Sequence, residues 1–254
     1  MHIFPIFELG GLKFDLSSII AILVSCVIVF VLARLAVKNL SVENPSKLQN
    51  FFEWVIEFVH NTIASTMPLH RAKHFVVLGT TLISFIFISN LLGLPFGIVF
   101  DVSEEVKLFG LTIISQETID AHGGHAHTAF WKSPTADIAV TAGLAIIVFL
   151  LTHILGLIVN TKHYLKHYFE PFWFFLPLNL LKEVAKPLTL ALRLYANIFA
   201  GEVLIATILM LGWVGIPLLA VWQGFSIFVG AIQAFLFTIL TMVYIGQATV
   251  HEEH

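Results

Sequence analysis

Charge is scarce in this chain. Only 11% of its 254 residues are Asp, Glu, Lys or Arg, while 58% are hydrophobic. That balance excludes a soluble domain of useful size and predicts one polytopic membrane domain. Thirteen basic residues against sixteen acidic ones leave a net charge of -3, too little positive charge for a nucleic-acid partner. The one cysteine, Cys26, lies in an apolar run, which excludes an internal disulfide and a cysteine metal cluster and leaves the redox compartment open. No Gly-rich phosphate loop and no cofactor motif occurs, so nucleotide chemistry is not expected from this chain. No internal repeat is visible, which argues against a transporter built from inverted halves. The first residues lack the basic n-region of a signal peptide and the arginines of a transit peptide, so the first apolar segment is expected to be a retained span.

What is present is a series of long apolar runs. Residues 16–33 carry no charge and are bounded by Asp15 and Arg34, which predicts a first span over 16–37. Over 47–66, Leu48, Phe51, Phe52, Val55, Ile56, Val59 and Ile63 recur at three- and four-residue spacing, with Gln49, Glu53, Glu57, His60 and Asn61 between them. This is the pattern of an amphipathic helix, interfacial or covered by a partner, since lipid-surface helices usually show a basic face. A second span is expected over 75–100, broken near Asn90-Leu-Leu-Gly-Leu-Pro95, then an extracellular polar loop over 101–137. The loop holds His122-Gly-Gly-His-Ala-His127, which reads as solvated sequence rather than a metal site because no acid or cysteine is fixed beside it. A third span follows over 138–161, and its His153 is expected to be a packed or partner-bonded residue rather than a ligand. Basic residues gather on one side of these spans, at Arg34, Lys38, Lys47, Arg71, Lys73, Lys162 and Lys166, so the positive-inside rule puts the N-terminus outside and the C-terminus in the cytoplasm.

Two apolar segments complete the chain, 172–211 and 216–250, separated by Leu211-Gly-Trp-Val-Gly-Ile-Pro217. They are expected to hold helices of about 34 and 32 residues, each about 50 Å long, against a membrane core of about 30 Å. A long, strongly tilted antiparallel hairpin is therefore expected, and the fold class is all-α polytopic membrane protein with five crossings. Between Phe172 and Val250 the only formal charges are Lys182, Glu183, Lys186, Arg193 and Glu202, all on the first of these helices. An arginine at the centre of a membrane helix costs about 2.5–3.5 kcal/mol on insertion scales, so Arg193 calls for a function. At 100° per residue Arg193 shares a face of small or polar residues with Lys186, Thr189, Ala196, Asn197 and Ala200. Glu183 and Glu202 lie off that face toward opposite ends, neither in i, i+4 reach of the arginine, whose partner is expected on another protein. Pro187 leaves the carbonyl of Glu183 without its usual helical bond. On the last helix Ser226, Gln233 and Tyr244 form one polar stripe, with Ser226 and Tyr244 serving either as interhelical glue or as functional groups. Lys182 and Lys186 either tune an inner path or snorkel to lipid phosphates.

Leu192-Arg-Leu-Tyr-Ala-Asn197, Ala200-Gly-Glu202, Ile232-Gln-Ala-Phe235 and Leu240-Thr-Met-Val-Tyr244 resemble the signature of the membrane-embedded a subunit of F-type ATP synthases. Asn50-Phe-Phe-Glu-Trp54, Asn90-Leu-Leu-Gly-Leu-Pro95 and Trp131-Lys-Ser-Pro-Thr-Ala-Asp137 extend the resemblance over most of the chain. It implies a stator in a bacterial plasma membrane, beside a ring of c subunits and a b-subunit peripheral stalk, with nucleotide chemistry on other subunits. It further implies that Arg193 keeps a passing ring carboxylate ionised and separates two half-channels. Asn197 and Gln233 would then be its neighbours, Glu202 part of the outer half-channel and Glu183 a candidate for a half-channel. The rival readings are a stand-alone ion channel or secondary transporter, with Arg193 binding an anion, and a membrane enzyme using histidine bases.

Overall fold

Asp15 ends the first polar segment and starts the first long helix, because its carboxylate accepts hydrogen bonds from the Ser17 and Ser18 backbone N–H groups at 2.9 and 3.3 Å. The computed structural model describes residues 5–9, 12–93, 99–103, 105–108, 111–114, 116–121, 126–129, 131–169 and 172–249. The histidines at 122 and 125, the break at 94–98 and the tail at 250–254 lie outside them. A hairpin of β1 (Ile6–Leu9) and β2 (Leu12–Asp15) leads into α1 (Leu16–Ala36). Ser46 caps α2 (Lys47–Ala64) through the Gln49 N–H, and Pro68 precedes α3 (Leu69–Leu92). The following loop carries β3 (Val99–Val102), β4 (Val106–Leu108), β5 (Leu111–Ile114), α4 (Gln116–Ala121) and β6 (Ala126–Ala129). Its antiparallel pairs are β3 with β6 and β4 with β5. A 3-10 turn at Pro134–Ala136 precedes α5 (Ile138–Phe169), and α6 (Leu176–Leu209) and α7 (Gly215–Thr249) complete the described chain.

Five of the described helices are long and apolar enough to cross a membrane: α1, α3, α5, α6 and α7. The protein is all-α and polytopic. Helix bounds differ from the sequence expectation in two places. The α3 helix begins six residues before Phe75 and stops at Leu92, so Val99 and Phe100, expected in the span, lie in β3 instead. Helix α5 continues past Thr161 to Phe169, a segment without glycine or proline to stop it.

Helices α3, α5, α6 and α7 enclose one core of Ile86, Ala145, Val148, Leu190, Ala191, Leu194, Ala234 and Phe237. The amphipathic α2 packs Val59 and Ile63 against Ala72 of α3 and Met242 and Ile245 of α7. Its other side stays open, with Phe51, Trp54 and Phe58 exposed. Gly212, at φ +59°, makes the left-handed turn that reverses the chain between α6 and α7. Gly79 lets α2 approach closely: a Cβ there would lie 2.8 Å from Val59 Cγ1 and 3.0 Å from Ile63 Cδ1. Gly79→Leu is therefore expected to wedge α2 away and destabilise the protein by roughly 1–3 kcal/mol. Gly143→Ala, inside α5 where a Cβ meets nothing within 4 Å, should cost no stability and add up to about 1 kcal/mol through helix propensity. Thermal unfolding in detergent, comparing the two midpoints with the wild type, checks both.

Candidate functional site

The seam between α6 and α7 is fixed at its middle by two amides. Asn197 Nδ2 donates to Gln233 Oε1 at 3.0 Å, and Gln233 is 1% exposed. A single hydrogen bond of this kind contributes about 0.5–1.5 kcal/mol net, enough to select a register between two otherwise apolar surfaces. The helices run antiparallel, so residues after Asn197 on α6 meet residues before Gln233 on α7. A recess holding one carboxylate and other polar side chains lies on each side of this bond.

Toward the C-terminal end of α6, a cleft of about 670 Å³ is lined by Asn90, Asn197, Glu202, Trp222 and Ser226 among others. The Glu202 carboxylate faces the Ser133 backbone N–H and lies in electrostatic range of Lys132. Ser226 Oγ, Trp222 Nε1 and Gln233 Nε2 are buried with no hydrogen-bond partner among the described residues. Unsatisfied groups of this kind cost roughly 1–3 kcal/mol each, so the cleft is more polar than helix packing requires. Asn90 forms its floor. It donates from Nδ2 to the Gly230 carbonyl at 3.0 Å and accepts from the Thr135 hydroxyl at 2.6 Å.

Toward the N-terminal end of α6, a much smaller cavity of about 10 Å³ is bordered by His153, Glu183, Lys186, Pro187 and Tyr244. Lys186 Nζ lies 2.5 Å from Glu183 Oε1, and the other carboxylate oxygen lies 4.0 Å from His153 Nε2. The same lysine sits over the Tyr244 ring, 5.4 Å from its centroid. Tyr244 is in electrostatic range of Arg193 and Glu183, and its hydroxyl faces that of Thr189. Arg193 itself is exposed, as are Leu192, Ala196 and Ala200 on the same open side of α6. Among the described residues no carboxylate pairs with it. Lys182 is also exposed.

The structure thus brings Asn197 to Gln233, Glu202 to the cleft of Ser226, and Glu183 to Lys186 and Tyr244, while Arg193 stays apart on the open face. Two features lay beyond the sequence reading. His153 meets Glu183 across two helices, a contact for which a lone histidine inside a span was the only sign. The second is an ionic knot: Lys132 Nζ lies 2.5 Å from Asp15 and 2.8 Å from Asp137, and the Ser18 hydroxyl donates to Asp137 at 2.7 Å. The charges at the ends of the first and third apolar runs were the available signal.

This knot ties the starts of α1 and α5 to the strand of chain that borders Glu202. Burial alone would push the Asp137 carboxyl up, but hydrogen bonds from Lys132, Ser18 and the Ala139 N–H outweigh it and hold the group below its ordinary range. Burial likewise disfavours the Lys132 ammonium, and the bonds to Asp137 and Asp15 more than offset that, so its pKa is raised.

With this geometry in view, the comparisons with known proteins are decisive. Residues 17–246 match the model of a family described as ATP synthase A chain. The chain belongs to that family. ATP synthase subunit a of Bacillus subtilis (strain 168) is 43% identical over 99% of both chains. The subunit a of Priestia megaterium is 44% identical over 96% of both. That of Listeria monocytogenes serotype 4b is 44% identical over 99% of this chain and 98% of its own length. Within the ATP synthase A chain family, then, this member spans essentially the full length of these relatives, and the family match covers the seam, both recesses and, of the knot, Ser18, Lys132 and Asp137.

The knot sets a pH window for the stability of this chain. The depressed Asp137 contributes stability that is complete above its unfolded value near 3.8 and lost as pH falls through the folded value. The raised Lys132 contributes stability that is complete below about 10.5 and lost as pH rises through its folded value. Lys132→Met leaves two carboxylates facing each other and is expected to destabilise the protein by roughly 3 kcal/mol at neutral pH. Its loss relative to the wild type should shrink at acid pH, where Asp137 protonates in both, as read from thermal unfolding across pH.

Proposed function

We propose that this chain is the proton-translocating stator subunit of a rotary F-type ATP synthase. In this reading the cleft at Glu202 is the outer half-channel and the cavity at Glu183 belongs to the inner one. Arg193 stands between them on the face turned to the carboxylates of a c-subunit ring. The observation that carries the reading is the pair of recesses on opposite sides of the Asn197–Gln233 bond, each holding a carboxylate, with Arg193 on the open face paired to no carboxylate among the described residues.

The chemistry follows from elementary electrostatics. A guanidinium beside a carboxylate favours the ionised form, so a ring carboxylate arriving at Arg193 gives up its proton and takes another only after moving away. An arginine remains charged across the physiological range and cannot itself relay the proton. Two water paths that reach the ring on opposite sides of such a barrier convert a proton gradient into rotation. Each proton crossing 100 mV supplies about 2.3 kcal/mol, so several are needed per nucleotide, and the nucleotide chemistry belongs to partner subunits. The ring, the b-subunit stalk and the remaining subunits are the partners of this reading, and a bacterial plasma membrane with the N-terminus outside is its setting.

Arg193→Ala is expected to abolish ATP-driven proton pumping and proton-driven synthesis in vesicles carrying the assembled complex, while the subunits still co-purify in mild detergent. Coupled pumping at the wild-type rate in that variant would overturn the reading. Glu202→Gln, which keeps the shape but removes the titrating group, should slow proton conduction by about tenfold or more. Undiminished conduction would remove Glu202 from the outer path.

A further inference from the structure

We propose that His153 of α5 is a proton-carrying residue of the inner path, working beside Glu183 of α6. The inference rests on the assignment of the small cavity to that path.

The tautomer is determined by a single contact. His153 Nδ1 lies 2.9 Å from the Phe149 carbonyl oxygen. A carbonyl only accepts, so Nδ1 bears a hydrogen and donates it, and the neutral ring keeps its lone pair on Nε2. The Phe149 ring, with its centroid 3.9 Å from that of the imidazole, holds the ring plane from the same helix. Nε2 therefore points its lone pair toward Glu183 Oε2 at 4.0 Å.

The two oxygens of Glu183 are differently engaged. Oε1 is held by the Lys186 ammonium at 2.5 Å, while Oε2 faces the imidazole. Protonating the carboxylate would break its ion pair with Lys186. Protonating the imidazole creates a second ion pair with the same carboxylate. Of the two groups His153 is thus the better temporary proton holder, with Glu183 as its fixed counter-charge. A gap of 4.0 Å is too long for a direct hydrogen bond, and a cavity of about 10 Å³ is close to the space of one water molecule, which leaves room for a water at Nε2 as donor or acceptor of the proton.

The step balances at one atom. The proton released by the ring carboxylate reaches a water on the ring side as hydronium; the Nε2 lone pair takes one proton from it, that O–H bond breaks with its electron pair staying on oxygen, and neutral water is left. The imidazolium then carries hydrogen on both nitrogens. On release, the Nε2–H bond breaks to water on the inner side, its electron pair stays on nitrogen, and Nδ1–H remains on Phe149. No ring flip is required. Among the described residues, the titratable groups bordering the same cavity as His153 are Glu183 and Lys186 from α6 and Tyr244 from α7, and Arg193 lies in electrostatic range of Tyr244.

The test uses vesicles holding the whole assembled complex, with proton pumping measured across inner pH. His153→Gln, which keeps a polar side chain but cannot carry a proton, is expected to lower the rate about tenfold or more and to change the shape of the wild-type pH profile. His153→Ala should be equally slow and regain its rate with added imidazole, referred to wild type with the same addition. Wild-type rate and pH profile in His153→Gln overturn the proposal, as does a slow His153→Ala that imidazole fails to rescue, since that marks a packing role. Glu183→Gln and Arg193→Ala separate the two levels. If both pump normally, the inner-path reading fails and His153 with it; if they are impaired and the His153 variants are not, only the role of His153 fails.

Discussion

The hydrogen bond from Asn197 to Gln233 is the contact on which the rest of the site depends. It is one neutral bond between two carboxamides, and its importance lies in position rather than strength. On either side of it stand groups that can gain or lose a proton, Glu202 in one recess and Glu183 in the other. The amides themselves do neither in the ordinary pH range. The middle of the seam is therefore polar enough to hold the helices in register, and the titratable carboxylates stand to either side of it.

A bond of that strength can hold position only inside a rigid frame. The core of Ile86, Leu190, Leu194 and Phe237 sets the spacing of α3, α5, α6 and α7. Asn90 binds α7 through the Gly230 carbonyl, and the Trp131 indole donates to the Leu92 carbonyl at 2.9 Å at the end of α3. The Lys132 knot then joins the starts of α1 and α5. Polar bonds cluster at the helix ends and along one seam, where hydrocarbon packing alone would leave helices free to slide.

Much of this was legible in the sequence, for reasons that differ by feature. Span number and type followed from uninterrupted apolar runs, because no water is available in a membrane to satisfy any other backbone arrangement. Arg193 stood out by its cost. The angular count put Ser226, Gln233 and Tyr244 on one stripe of α7, and they do border three successive levels of α6. What could not be read was rotation and depth across helices. His153 and Glu183 are thirty positions apart on different helices, and only packing reveals that they share a cavity. The Ser18 to Asp137 bond joins residues 119 positions apart, and the short strands of the loop are too brief for their alternation to be distinctive.

Coverage divides the two long helices sharply. In its most apolar window α7 is 39% buried, while α6, which carries every formal charge between residues 172 and 249, is 11% buried. A helix so thinly clothed by its own chain takes most of its solvation from whatever flanks it. The free energy holding Arg193 at its depth is accordingly a joint property of this chain and its neighbourhood, and exchanging the surrounding lipid or a flanking helix acts on α6 much as a substitution within it would.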